Sequence, residues 1–125
     1  MIAMRYEVTD ADTAIALGSG DVPVLATPRL LAWLEAATVA AAAEHLAPGQ
    51  TSVGTAIHVE HRRATPIGGR VEVSTRPPTV SGRRLSFVVR AVDDAGEVVA
   101  DGQVERVVVD RTRFLGGLAR VRPEE

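Results

Sequence analysis

The sequence contains no cysteine, no lysine and no asparagine. Without cysteine there can be no disulfide, no thiolate nucleophile and no Cys-ligated zinc. Without lysine there is no Schiff-base nucleophile and no P-loop lysine to meet a phosphate. Aromatic residues make up only 3% of the chain, which leaves little for stacking nucleic-acid bases. The net charge of −2 argues the same way, because nucleic-acid modules carry a basic face. Long apolar runs are missing too. The longest uncharged helical stretch, Ala36 to Ala43, falls far short of the roughly 20 residues of a membrane span. The opening Met-Ile-Ala-Met-Arg-Tyr-Glu lacks the basic start and apolar run of a secretory signal. A soluble, cytoplasmic protein is expected, with neither nucleic acid nor membrane as partner.

What is present suits one core. The chain has 125 residues, 46% of them hydrophobic, and reads as a single domain over residues 1–125. Met4 to Thr9 reads as a short strand. Asp10 to Ala26 reads as loop around Gly18-Ser-Gly-Asp21, with Pro23 as a breaker. Thr27 is a fitting N-cap, and Pro28 suits the first helical turn, where its missing N–H has no partner to lose. A helix is expected over Arg29 to Leu46, ended by Pro48-Gly49. Leu30, Leu34, Ala37, Thr38, Ala41 and His45 form its buried stripe. Its many alanines suit close wrapping by a curved sheet. Strands are expected over Val53 to Thr65, Arg70 to Val80, Leu85 to Val92 and Val98 to Asp110, with a bend or edge at Pro77-Pro78. Thr112 to Arg120 could add a last helical turn. One strand, one long helix and four antiparallel strands make an α+β fold. The hotdog fold, an antiparallel sheet curled around a central helix, is such an arrangement; a cystatin-like or split-βαβ sheet is its rival.

The chemistry-bearing residues each have an ordinary reading beside a functional one. In Thr55-Ala-Ile-His-Val-Glu-His61, alternation puts Thr55, Ile57, Val59 and His61 on one face and His58, Glu60 and Arg62 on the other. His58 therefore sits among charges, whereas His61 continues an apolar face, where an imidazole needs a partner or a task. His45 near the helix end reads as structural. Glu35 lies among small apolar residues, a setting that desolvates a carboxylate and raises its pKa toward the range of a base; it also reads as a helix-surface glutamate. Thr27 by itself is a helix cap. The pairs Arg62-Arg63 and Arg83-Arg84 read as solvated strand ends. His58 and His61 face opposite sides, so no metal site is expected.

In order and spacing, Ala26-Thr27-Pro28, Leu34-Glu35-Ala36, Pro48-Gly49, Gly54-Thr-Ala-Ile57, Val59-Glu-His61, Ser81-Gly-Arg-Arg-Leu-Ser86 and Glu105-Arg106 resemble the fluoroacetyl-CoA thioesterase family of hotdog proteins. The resemblance runs from Val22 to Phe114. It implies a catalytic set of Thr27, Glu35 and His61, an oxyanion contact from the Gly54 backbone N–H, and a substrate-binding strand arginine at Arg106. It implies hydrolysis of a small acyl-CoA, with coenzyme A as part of the substrate and no separate cofactor. An acyl-CoA or acyl-carrier thioester binder without turnover is the alternative. The family's lid phenylalanines have no counterpart in Gly18 to Leu25, so a general short-chain acyl group is expected rather than a halogenated one.

Thr27 and Glu35 stand about 12 Å apart along a helix axis, too far for direct hydrogen bonding. A site completed by a second copy is therefore expected. That means a homodimer, with a dimer of dimers as a further option.

Overall fold

The computed structural model describes residues 1–118. Strand β1 (Ile2–Glu7) turns Ile2, Met4 and Tyr6 inward and leaves Ala3, Arg5 and Glu7 to solvent. The stretch expected as loop contains a 3₁₀ turn, Asp10–Asp12, and a short helix α1, Ala14–Leu17. Local capping explains both. Asp12 Oδ2 accepts the Thr9 N–H at 2.8 Å, and Thr13 Oγ1 accepts the Ala16 N–H at 3.2 Å.

Helix α2 (Thr27–Ala42) corrects the reading of its own start. Its N-cap is Ala26, which has no side-chain oxygen to offer; Thr27 is already helical, and its hydroxyl is free for other work. Leu30, Leu34, Ala37, Thr38 and Ala42 are buried, and Ala41 is partly so. A 3₁₀ turn, Ala43–His45, replaces the last expected turn. It winds at about three residues per turn rather than 3.6, so His45 leaves the buried stripe and is exposed.

The remaining strands are β2 (Gln50–His61), β3 (Arg70–Thr75), β4 (Thr79–Ser81), β5 (Arg84–Asp93) and β6 (Val98–Asp110). The single strand expected over Arg70 to Val80 is split at Pro77-Pro78, and both pieces pair with β5. β2 stops at His61 because the next residues leave the ladder. The Arg62 and Arg63 N–H groups both donate to Val99 O, and Thr65 O accepts the Leu25 N–H, which ties down the segment before α2. Helix α3 (Arg111–Gly116) is capped by Asp110, whose Oδ1 accepts the Arg113 N–H at 2.8 Å. The expected terminal turn begins there; its portion past Leu118 lies outside the described residues.

All neighbouring strands are antiparallel, in the order β1-β3-β5-β6-β2, with β4 beside β5. The sheet wraps α2, which packs against β1, β2, β3 and β5. This is the α+β hotdog arrangement expected from the element order. Leu30 and Leu34 meet Val71, Val73, Leu85, Phe87, Val89 and Val104 in the core. Tyr6 of β1 stacks on Trp33 of α2, with ring centroids 4.4 Å apart and planes 1° from parallel.

Two features shape the β2–β6 ribbon. Gly54 pairs with Arg106 and Ala56 with Glu105, so Thr55 is an extra residue, a β-bulge. Farther along, Gly102 lets the two strands approach closely: a Cβ there would overlap the His58 carbonyl oxygen and lie 2.7 Å from the Val59 Cα.

Candidate active site

The bulge decides which residues of β2 face α2. Before it, Ser52 and Gly54 pair with Val108 and Arg106; after it, Ile57, Val59 and His61 pair with Val104, Gly102 and Ala100. Val104, Arg106, Val108 and Ala100 are buried, so both sets look onto the concave face. Alternation without the bulge would have put Gly54 and His61 on opposite faces. The expectation that Thr55 shares the His61 face is corrected accordingly: Thr55 is the bulged residue, and its hydroxyl donates to Glu105 O at 3.3 Å.

The expected site residues form two clusters. In the first, Thr27 Oγ1 and His61 Nδ1 lie 2.8 Å apart, joining the first turn of α2 to the last residue of β2. The other ring nitrogen, Nε2, is buried without a hydrogen-bond partner. Burial holds the His61 pKa below its ordinary value, with a smaller opposing contribution from the Arg63 backbone. The ring is thereby kept neutral near pH 7, as an acceptor of protons must be. A cleft of about 330 Å³ opens beside this pair, lined by Thr27, His61, Gly20, Asp21, Val22 and Arg62 among others.

In the second cluster, Arg106 Nη1 donates to Glu35 Oε2 at 3.2 Å. Arg106 Nε donates to Ser52 Oγ at 2.9 Å, and Nη2 to Ser52 O at 3.1 Å. The guanidinium is nearly buried, with 7% of the side chain exposed against 36% for Glu35. A charge so placed needs partners, and these bonds supply them. Gly54 completes the cluster. A Cβ on it would lie 2.5 Å from Glu35 Oε2, so only glycine lets the carboxylate rest against the strand. Thr38 donates to the Glu35 carbonyl at 2.7 Å and fixes the turn that carries it.

The setting of Glu35 thus differs from the expectation. Its sequence neighbours are alanines, but its spatial neighbour is a guanidinium, because the carboxylate reaches across to β6. No hydrogen bond or ion pair joins Glu35 to Thr27 or His61 among the described residues. Each cluster is assembled within the chain, and the two are separate.

The other candidates are placed simply. His58 is exposed, as its parity implied. Arg62 pairs with Asp101 at 2.9 Å and Glu60 at 3.2 Å, and Arg63 with Asp93 at 3.3 Å. Among the described residues, no group of three or more His, Asp or Glu side chains is placed to hold a metal ion. No described helix is long and apolar enough to cross a membrane. Ser52 was not singled out in the sequence, although its parity with Gly54 marks it as facing the same cluster.

Comparison with known proteins bears on this arrangement. Residues 8–112 match the family described as fluoroacetyl-CoA-specific thioesterase, FlK. The fluoroacetyl-CoA thioesterase of Streptantibioticus cattleyicolor is 43% identical over 91 residues, covering 73% of this chain and 65% of that protein. The match therefore spans just under two thirds of that relative's length. The crystal structure of a point mutant of FlK, in complex with fluoroacetate and CoA, superposes with a TM-score of 0.84 at 34% identity, over 93% of this chain and 94% of that one. A thioesterase superfamily member from Thermus thermophilus shares the fold, with a TM-score of 0.85 at 22% identity over 92% and 85% of the two chains. The family match over most of the sequence and the FlK backbone agree with one another, and the chain belongs to the fluoroacetyl-CoA-specific thioesterase family of hotdog proteins.

Proposed function

We propose that the protein hydrolyses a small acyl-CoA to the free acid and CoA, in a site shared by two copies of the chain. The observation that carries this reading is the pair of preassembled half-sites, Thr27–His61 and Glu35–Arg106–Gly54, that no hydrogen bond or ion pair joins among the described residues of one subunit. The FlK structure with fluoroacetate and CoA supports the substrate class.

β2 is an edge strand, and Gly54 to His58 are exposed along it. Such an edge offers unpaired backbone groups to another strand. Antiparallel pairing of two β2 strands about a point between Ile57 and His58 sets Gly54 of one copy opposite the partner's His61. The two half-sites then meet across the interface, which makes a homodimer the smallest working unit.

The residue types suit thioester chemistry. A thioester carbonyl is electrophilic and its thiolate leaves readily, so a carboxylate suffices where cysteine is absent. Glu35 Oε1, not engaged by Arg106, either takes a proton from the attacking water or attacks the carbonyl itself. The Gly54 N–H is the donor for the oxyanion. On the water route His61, kept neutral by burial and oriented by Thr27, receives the water's proton from Glu35 and delivers it to the departing thiolate. On the covalent route CoA leaves as the thiolate, and His61 then deprotonates the water that opens the anhydride and passes that proton to the thiolate. The Gly18 to Leu25 segment beside the cleft has no aromatic side chain, which favours short acyl groups in general over a halogenated one.

A panel of acyl-CoAs assayed with a thiol reagent tests the reading. Free thiol should appear with short-chain substrates, and Glu35→Gln should abolish it while retaining binding. Acyl-CoA binding without thiol release by the unmodified protein would instead establish a thioester-binding protein.

A further inference from the structure

Arg106 is held from behind. Of its three donor positions, Nε and Nη2 are both taken by Ser52, through its hydroxyl and its carbonyl, and only Nη1 reaches Glu35. The carboxylate is therefore gripped through Oε2 alone, and Oε1 makes no hydrogen bond among the described residues. This one-point grip is not the arrangement that guanidinium and carboxylate adopt when left to themselves, since the planar fork of arginine favours two parallel bonds. We infer that Ser52 is a positioning residue for hydrolysis: its hydroxyl and carbonyl together pin the Nε/Nη2 edge of Arg106, so that Nη1 alone meets Glu35 and one carboxylate oxygen stays free for the reaction.

The reasoning is one of buried donors. Arg106 is almost wholly buried, so a bare Nε–H there would be costly and would seek another acceptor. With the Ser52 hydroxyl removed, that edge keeps only the Ser52 carbonyl, and the guanidinium is free to turn a two-nitrogen edge toward both carboxylate oxygens. The fold would lose little, because bonds to the carboxylate replace those to Ser52. Catalysis would lose the oxygen that does the chemistry. The Ser52 carbonyl persists in any substitution, which confines the effect to the hydroxyl. This role rests on the thioesterase reading above.

Three variants test it. Ser52→Ala should lower kcat at least about tenfold while KM stays within about twofold, because the change falls on how the Glu35 carboxylate is held. Thermal stability should stay close to that of the unmodified protein. Ser52→Thr and Ser52→Val form an isosteric pair at the same position, both suited to a strand. The threonine should restore kcat to within about threefold, and the valine should be as slow as the alanine. Unchanged kcat in Ser52→Ala, or equal rates in the Thr and Val variants, would overturn the role while leaving the thioesterase reading intact. Absence of hydrolysis by the unmodified protein would overturn both.

Discussion

Gly54 and His61 look onto the same face of the sheet although an odd number of residues separates them, because Thr55 is bulged out of the ladder between them. The bulge puts the proposed oxyanion donor, Gly54, on the same face as the imidazole. Deleting Thr55 restores regular alternation and turns one of the two residues outward. The expected result is a loss of hydrolysis of more than about a hundredfold, with a lowered melting temperature, since every side chain beyond the slip changes face. Alanine at Thr55 keeps the extra residue and should cost far less. Rates and melting curves for the two variants check this.

Glu35 and Arg106 separate stability from turnover. Glu35→Gln keeps an acceptor for Arg106 Nη1, whereas Glu35→Ala leaves a buried guanidinium short of a partner. The glutamine variant should melt close to the unmodified protein, and the alanine variant should lose about 1–2 kcal/mol, reduced from the full cost of a broken buried pair because Glu35 is partly exposed. Neither should hydrolyse acyl-CoA. Denaturant titration beside the thiol assay distinguishes the two effects.

The pH response follows from His61. Its folded-state pKa lies below the ordinary 6.5 because burial disfavours the imidazolium. As pH falls through 6.5 the unfolded chain takes up a proton that the folded chain refuses, so stability declines from there until the folded pKa is reached. Above that window His61 contributes no pH dependence. Melting temperature should therefore fall less steeply between pH 7 and pH 5 in His61→Gln than in the unmodified protein. Parallel slopes would contradict it.

The proposed sharing of the site between two copies makes a distinctive mixing experiment possible. Glu35→Gln and His61→Ala chains are each expected to be inactive alone. A mixed dimer pairs the intact Glu35 of one with the partner's His61, restoring one site of two. After random exchange, activity should recover to about a quarter of the unmodified level. No recovery, with exchange verified by mass, would place the whole site within one subunit.

Much of this was readable from pattern. Val98 to Asp110 is rich in valine and alternates from Val104 to Val108, and its strand matches the expected bounds. Arg106 falls in step with Val104 and Val108, so its inward direction was legible. Three things were not. Thr55 lies between Gly54 and Ala56, poor strand formers that hint at an irregularity without showing which residue leaves the ladder. Thr27-Pro28 satisfies the rules for a helix start, yet the tertiary bond to His61 settles the threonine's use. Glu35 lies among alanines along the chain, but its charge is answered from a strand far away in sequence. Long-range pairing, rather than local propensity, decided each case.

The Tyr6–Trp33 stack has an optical consequence. Trp33 is the sole indole in the chain, so its emission is a single uncontaminated signal from the helix that carries Glu35. Any movement of α2 away from the first strand, on loading with CoA or on the first step of unfolding, would pull the rings apart. That event can be timed in a stopped-flow instrument without a label.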